Sequence, residues 1–324
     1  MRNYVFILCV LLALPLHAQQ IVDPDFKAVV ENPAFKKKGP VVAIDEAHAN
    51  FHTAGGQYKP FADLLGKDGY TVKASTKKFE KGAFAGIDVL VVANALSANA
   101  SRENPNAPAF TDAECDALHD WVQQGGSLLL ISDHAPFGSA AENMGKRFGV
   151  AMGKGWAFDR ATGNGNGVTT QLVFSRENGL LGSHPILRGR NASEEVKVVR
   201  AFTGQSLSVP PGAAVLLKMS PTAREGPTTN DVDLEDAAIR ATGAPGQGAA
   251  SHSTSAAGRA QAIAMTLGKG RLVVLGEAGM FSAQIAKFID GDQVREFKFG
   301  MNVPGHDDGQ FGLNVLHWLS GLLK

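Results

Sequence analysis

FTDAECDALHDWVQQGGSLLLISDH, residues 110–134, contains a helix, a turn and a strand together with the signals that start and stop them. Thr111 followed three residues later by Glu114 is a capping-box pattern: the threonine hydroxyl accepts the Glu114 amide hydrogen while the glutamate reaches back to the Thr111 amide. Leu118, Trp121 and Val122 then make one apolar stripe at helical spacing, and Gly125-Gly126 stop the helix. The run 127–132 that follows is short and almost wholly aliphatic, the pattern of a strand buried on both faces. It ends abruptly in Asp133-His134.

Three further apolar runs end the same way. VVAI (41–44) runs into Asp45-Glu46-Ala47-His48, VLVVA (89–93) into Asn94, and RLVVLG (271–276) into Glu277. Between them the pattern predicts a helix over 58–67 closed by Asp68-Gly69, strands over 70–75 and 88–93, and a helix over 139–148. A β-α-β-α rhythm with short connections implies right-handed crossovers and a parallel sheet. The expected fold class is therefore three-layer α/β, with a mostly parallel sheet and antiparallel β additions. In open sheets of this kind ligands bind in the crevice outside the carboxyl ends of the strands, so the polar residues closing the four runs are expected to share one rim.

Beyond residue 150 the rhythm changes. Residues 150–220 read as an excursion carrying the loop 163–167 and the β-like runs VTTQLVF, VKVVRAF and AAVLLKM. The stretch 221–259, rich in Gly, Ala, Ser and Thr, reads as a long mobile loop, of a length that is usually functional or disordered. Residues 261–267 and 271–275 flank Gly268-Lys269-Gly270 as a β-hairpin. A helix over 281–289, the loop MNVPGHDDGQ and a helix over 311–322 are expected to close the chain.

The 31 basic and 31 acidic residues cancel without a long single-sign block, which argues against an electrostatic nucleic-acid footprint. The opening MRNYVFILCVLLALPLHAQQ has an early cation, an apolar stretch from Tyr4 to Leu16 and a small residue at Ala18, a secretory signal pattern with cleavage expected after Ala18. That stretch is short of the roughly 20 residues a membrane span needs. The expected product is periplasmic or secreted, with no membrane span, a lead-in over 19–39 and a single α/β domain over 40–324. Its remaining cysteine, Cys115, cannot form an internal disulfide. Flanked by Glu114 and Asp116 on the exposed-to-intermediate side of its helix, it is a poor nucleophile.

The rim residues are the candidates for chemistry. Asp45, Glu46, Asp133, His134 and Glu277 could supply acid–base or nucleophilic carboxylate work, since carboxylates and imidazoles bracket neutral pH. His48 and His52 are four residues apart and, with His134, could hold a divalent ion such as zinc or manganese. The H-E-x-x-H pattern is not met, and a backbone-bonding role for these histidines stands beside the metal one. Asp133 could equally cap the helix after it. Asn94, His306 and Asp307 are candidate substrate contacts. Asp45-Glu46-Ala47-His48 also spells a helicase box, but no Gly-Lys is followed by Ser or Thr upstream to cradle phosphates.

Four segments, the quoted 110–134, SHPILRG (183–189), GKGRLVVLGEAGMFS (268–282) and NVLHWL (314–319), give the chain a resemblance to the class I glutamine amidotransferase-like superfamily. Within it the chain resembles the branch of gliding-motility and intraflagellar-transport associated domains and trehalose-utilisation-like proteins. The resemblance implies the α/β fold. The superfamily sets a nucleophilic cysteine at the elbow after the strand that is 127–132 here; this chain has Asp133-His134 there, so glutamine hydrolysis by a cysteine is not implied. Many members of the branch are binding or scaffold domains. Two expectations follow: an exported hydrolase-type enzyme acting on a small or carbohydrate-like substrate at the rim, or a non-catalytic module of the same fold that holds a ligand or protein partner there.

Overall fold

The structure, a computed structural model, describes residues 19–101, 103–104, 106–161, 169–232, 252–290 and 293–324. Strand β5 (Ser127–Ile131) lies fully buried at the centre of a seven-stranded sheet. The order across that sheet is β3 (Thr71–Ser75), β2 (Val41–Asp45), β4 (Val89–Ala93), β5, β13 (Gly270–Leu275), β12 (Ala260–Leu267) and β9 (Ala214–Lys218). The first five are mutually parallel, and β12 runs antiparallel to both of its neighbours. The register sets Asp45 beside Ser75, Ala93 beside Ile131 and Ile131 beside Leu275, so the apolar runs end level with one another. The shared rim expected from the sequence is real.

Each face of the sheet is covered. Helices α1 (Lys59–Lys67) and α5 (Asp308–Leu319) pack on one side through Phe61, Leu65, Phe311 and Leu316, while α2 (Asp112–Gln123) and α4 (Glu142–Arg147) cover the other through Leu118, Val122 and Met144. Removing such aliphatic side chains from water contributes about 1.5–3 kcal/mol each. The capping box forms as expected, with Thr111 accepting from the Glu114 amide and Glu114 accepting from the Thr111 amide. The glycine stop has a packing reason as well, because a Cβ at Gly126 would lie 2.3 Å from the Trp121 ring.

Several expectations are corrected. Residues 281–289 are not a helix: strand β14 (Ala283–Asp290) pairs with β15 (Gln293–Gly300) and with β1 (Gln19–Val22) in a separate antiparallel sheet. The alternation Glu296-Phe297-Lys298-Phe299 is the period-two signal of a half-buried strand, and its partner follows it. The start of the lead-in is thus a sheet strand. The helix over 139–148 divides into α3 (Phe137–Ala140) and α4. Cys115 is fully buried, and burial, with the charges of Asp112, Asp116 and Glu114, pushes its thiol up to about 12.

In the excursion, β7 (Val173–Ser175) and β8 (Val198–Arg200) pair antiparallel, and AAVLLKM supplies β9 of the central sheet. Both ends of the 221–259 stretch are strand-paired, since β10 (Arg224–Gly226) lies between β6 (Trp156–Phe158) and β11 (Thr254–Ser255). The middle of that stretch, the loop 163–167 and the leader lie outside the described residues. No helix among the described residues is long and apolar enough to cross a membrane.

Candidate functional site

Above the carboxyl rim lies a cavity of about 390 Å³. Its floor is made by His52, Asn94, Asp133, His134 and Glu277, four of which close or directly follow the strands that sequence reading singled out. Its walls carry Phe51, Phe137, Phe202, Phe297 and Phe299, and the β1–β14–β15 sheet roofs it with Gln20, Gln284 and Ala286. No Lys or Arg among the described residues lines it.

Asn94 is the keystone of the floor. It follows β4 with φ +47°, a left-handed conformation that asparagine tolerates better than most residues. Its Oδ1 accepts the Asp133 amide hydrogen at 2.9 Å, so the other end of the amide is the donor, and Nδ2 donates to His52 Nδ1 at 3.1 Å. His52 therefore carries its proton on Nε2, which is buried and has no hydrogen-bond partner among the described residues. Burial of the ring, with His134 close by, holds His52 down at about 4 against the opposing charge of Asp133. The ring is a neutral donor at physiological pH.

Asp133 does not cap α3. Its Oδ1 accepts the His134 amide at 2.7 Å and the Thr203 hydroxyl at 3.4 Å, and its Oδ2 accepts the Ala278 amide at 3.3 Å. His134 donates from Nδ1 to the Ala135 carbonyl at 2.8 Å and stacks on Trp156 at 4.9 Å, so Nδ1 carries a proton, unlike Nδ1 of His52. Glu277 is fully buried and accepts the Gly279 and Met280 amides at 2.7 and 2.8 Å. A Cβ at residue 279 would come within 2.6 Å of Glu277 Oε1, so glycine there clears room for the carboxyl. Burial, then the neighbouring charge of Asp133, raises Glu277 well above the ordinary carboxyl range despite those two amides. The floor thus pairs a proton-holding carboxyl with a carboxylate that accepts hydrogen bonds.

A stability consequence follows for Glu277. Its native pKa exceeds its unfolded one, so its contribution is complete below the unfolded value near 4.5 and is lost as pH rises through the native value. Urea unfolding at pH 5 and pH 8 is expected to show wild type losing more stability across that interval than Glu277→Gln. The amide leaves one backbone donor facing an NH₂, a fixed cost that does not change the slope. Equal slopes for the two proteins would contradict the assignment.

The other candidates lie elsewhere. His48 is buried between two carboxylates, with Nδ1 2.8 Å from Asp45 Oδ2 and Nε2 3.0 Å from Glu114 Oε1. Its ring packs against Phe79 and Phe110 with centroids 4.4 and 4.7 Å away. Burial pushes Glu114 up, but the Thr111 amide, His48 and the Thr111 hydroxyl together hold it below the ordinary range. Asp45 and His48 thereby tie the first strand end to the N-terminus of α2 and do not line the cavity. Glu46 accepts the Ala54 amide at 2.9 Å and holds its loop.

Asp307 accepts the Lys197 and Val198 amides at 2.7 and 3.0 Å, pinning β8. The His306 side chain is buried beneath the wall residue Phe202, 3.0 Å from Asp308 Oδ2. Among the described residues no three His, Cys, Asp or Glu side chains are grouped so as to hold a metal ion. Sequence reading missed the wall entirely; the Glu296–Phe299 alternation was the available signal for two of its five phenylalanines.

No family model matches the chain, and no curated protein matches it. Among solved structures it is similar to the mmIFT52 N-terminal domain, with a TM-score of 0.57 and 14% identity over 86% of this chain and 97% of that one. Weaker matches include a putative ThuA-like protein from Bacteroides uniformis (TM-score 0.39, 13% identity, 90% of this chain and 94% of that one) and the cytoplasmic protein STM3548 from Salmonella typhimurium (TM-score 0.44, 10% identity, 86% and 98%). At such identity the first likeness establishes the fold alone, an α/β architecture shared with the mmIFT52 N-terminal domain.

Proposed function

We propose that the rim cavity is the active site of a hydrolase-type enzyme acting on a small, uncharged, carbohydrate-like substrate. The observation that carries this reading is the meeting of Asp133, His134, Glu277 and His52 on one floor beneath aromatic walls. A carboxyl raised by burial and by a neighbouring charge, set in a cleft, is a mark of functional sites. In this reading Asp133 takes a proton from water as the water oxygen attacks the substrate. Glu277 returns a proton to the leaving oxygen, and His134 carries the exchange with solvent. The phenylalanine walls suit the apolar face of a sugar ring or an aryl group.

A second reading, ligand binding without turnover, is favoured by one specific feature. Both oxygens of Asp133 and both oxygens of Glu277 already accept backbone or side-chain hydrogens. The test is nitrophenol release from a panel of uncharged nitrophenyl glycosides and nitrophenyl acyl esters. The enzyme reading expects release by wild type that is lost in Asp133→Asn. Saturable binding of the same compounds with no release by wild type would overturn it and leave the binding module.

A further inference from the structure

Resting on the assignment of the rim cavity as the functional site, we infer that the row of rings Phe297, Phe299 and Phe202 is a subsite for a flat, uncharged aryl group. Of the two groups that aromatic walls suit, the part of the substrate seated in the cavity is the aryl one, the aglycone of a glycoside or the aryl end of an ester, and not a sugar ring.

The roof sheet builds most of the row. Phe297 and Phe299 are two residues apart on β15 and so share a face, and the register sets Ala286 of β14 and then Gln20 of β1 in line with Phe297. All four line the cavity. The small Ala286 leaves the face of the Phe297 row open. Phe297 is 37% exposed, so the row begins at solvent. Its ring lies 6.2 Å from Phe299 with planes 18° apart, and Phe299 lies 6.0 Å from Phe202 at 47°. Those spacings are the ones aromatic rings adopt among themselves, and a fourth ring can join such a row.

The inner end of the row meets the floor. The point where a Cβ on Gly279 would sit is 2.6 Å from Glu277 Oε1, 3.4 Å from the Phe299 ring and 3.6 Å from Phe202 Cβ. An aryl group held along the row is therefore led toward the buried carboxyl.

The polar side of the cavity excludes a sugar ring there. His52, Asn94, Asp133, Glu277 and Gln284 are each at most 5% exposed. Both ends of the Asn94 amide and both oxygens of Asp133 and of Glu277 are already hydrogen-bonded within the protein. Gln20, His134 and Thr203 are the more accessible polar side chains on the described lining, against Phe51 at 41% and Phe297 at 37% exposure. A sugar carries a hydroxyl on most ring carbons, and each one taken from water without a new partner costs binding energy. An aryl ring makes no such demand. No Lys or Arg among the described residues lines the cavity to hold an anionic one.

The experiment compares three uncharged six-membered rings, benzyl alcohol, cyclohexylmethanol and methyl glucoside, titrated into the full chain and followed by ligand-observed NMR. Benzyl alcohol is expected to bind at least about tenfold more tightly than methyl glucoside and about two- to tenfold more tightly than cyclohexylmethanol. Phe297→Ala, at a half-exposed position, and Phe299→Leu, which keeps an apolar side chain, are each expected to weaken benzyl alcohol binding at least about threefold and to bring it level with cyclohexylmethanol. Methyl glucoside or cyclohexylmethanol binding as tightly as benzyl alcohol, no binding by any of the three, or benzyl alcohol binding unchanged in both variants would each overturn the inference. All of these are binding readouts, so a protein that selects the aryl ring in this way and turns nothing over refutes the hydrolase reading alone.

Discussion

His48→Ala is expected to lower the unfolding free energy by about 3–5 kcal/mol, the range for leaving a buried carboxylate without its partner. The magnitude follows from what remains. Asp45 is fully buried, and without the imidazole its only other partner is the Ala47 amide at 3.2 Å. Glu114 keeps its capping box but loses the contact that ties α2 to the first strand end. The space between Phe79 and Phe110 is vacated as well, adding the cost of lost packing. Urea unfolding monitored by circular dichroism measures the difference. Glu46→Ala, which removes one loop hydrogen bond, is expected to cost only about 1 kcal/mol. A His48→Ala protein within about 1 kcal/mol of wild type would show that the three-residue cluster is not a structural tie. If His48 instead held a metal, chelator treatment of wild type would reproduce the loss.

How legible this was in the sequence depended on the range of the interaction. The capping box, the glycine stop and the four buried strands were readable because each is decided by residues within a few positions of one another. That the strand ends share a rim follows from the parallel register, which the β-α-β rhythm implies. Which rim residues face the cavity was not readable. Asp45 and Asp133 both close a buried strand, yet Asp45 is claimed by His48, whose other nitrogen Glu114 of helix α2 holds, while Asp133 opens onto the cavity. The difference is made by Glu114, 69 residues beyond Asp45, and by the roof sheet that joins the two ends of the described chain. The same applies to the histidines. Spacing grouped His48 with His52, but φ +45° at Ala49 breaks the helical turn that would have aligned them, and each ring went to a different partner.

Asp133→Asn is expected to reduce turnover of a nitrophenyl substrate by on the order of 10²- to 10⁴-fold, the range for losing a positioned general base. The substitution keeps the shape and removes the charge, so it separates chemistry from packing. One end of the new amide is an NH₂, and it must face either the His134 amide or the Ala278 amide, both donors. A stability loss of about 1–3 kcal/mol therefore accompanies the loss of activity, and the assay is run at a temperature where the variant remains folded. The same charge is the second cause of the raised Glu277 pKa. Removing it lets Glu277 ionise more readily, so the alkaline limb of any residual activity should move to lower pH. That shift separates a coupled acid–base pair from two independent residues. A variant that loses activity with an unmoved limb would leave Asp133 as the base but take the acid role away from Glu277. A variant that retains turnover within a factor of about three of wild type would remove Asp133 from the chemistry altogether.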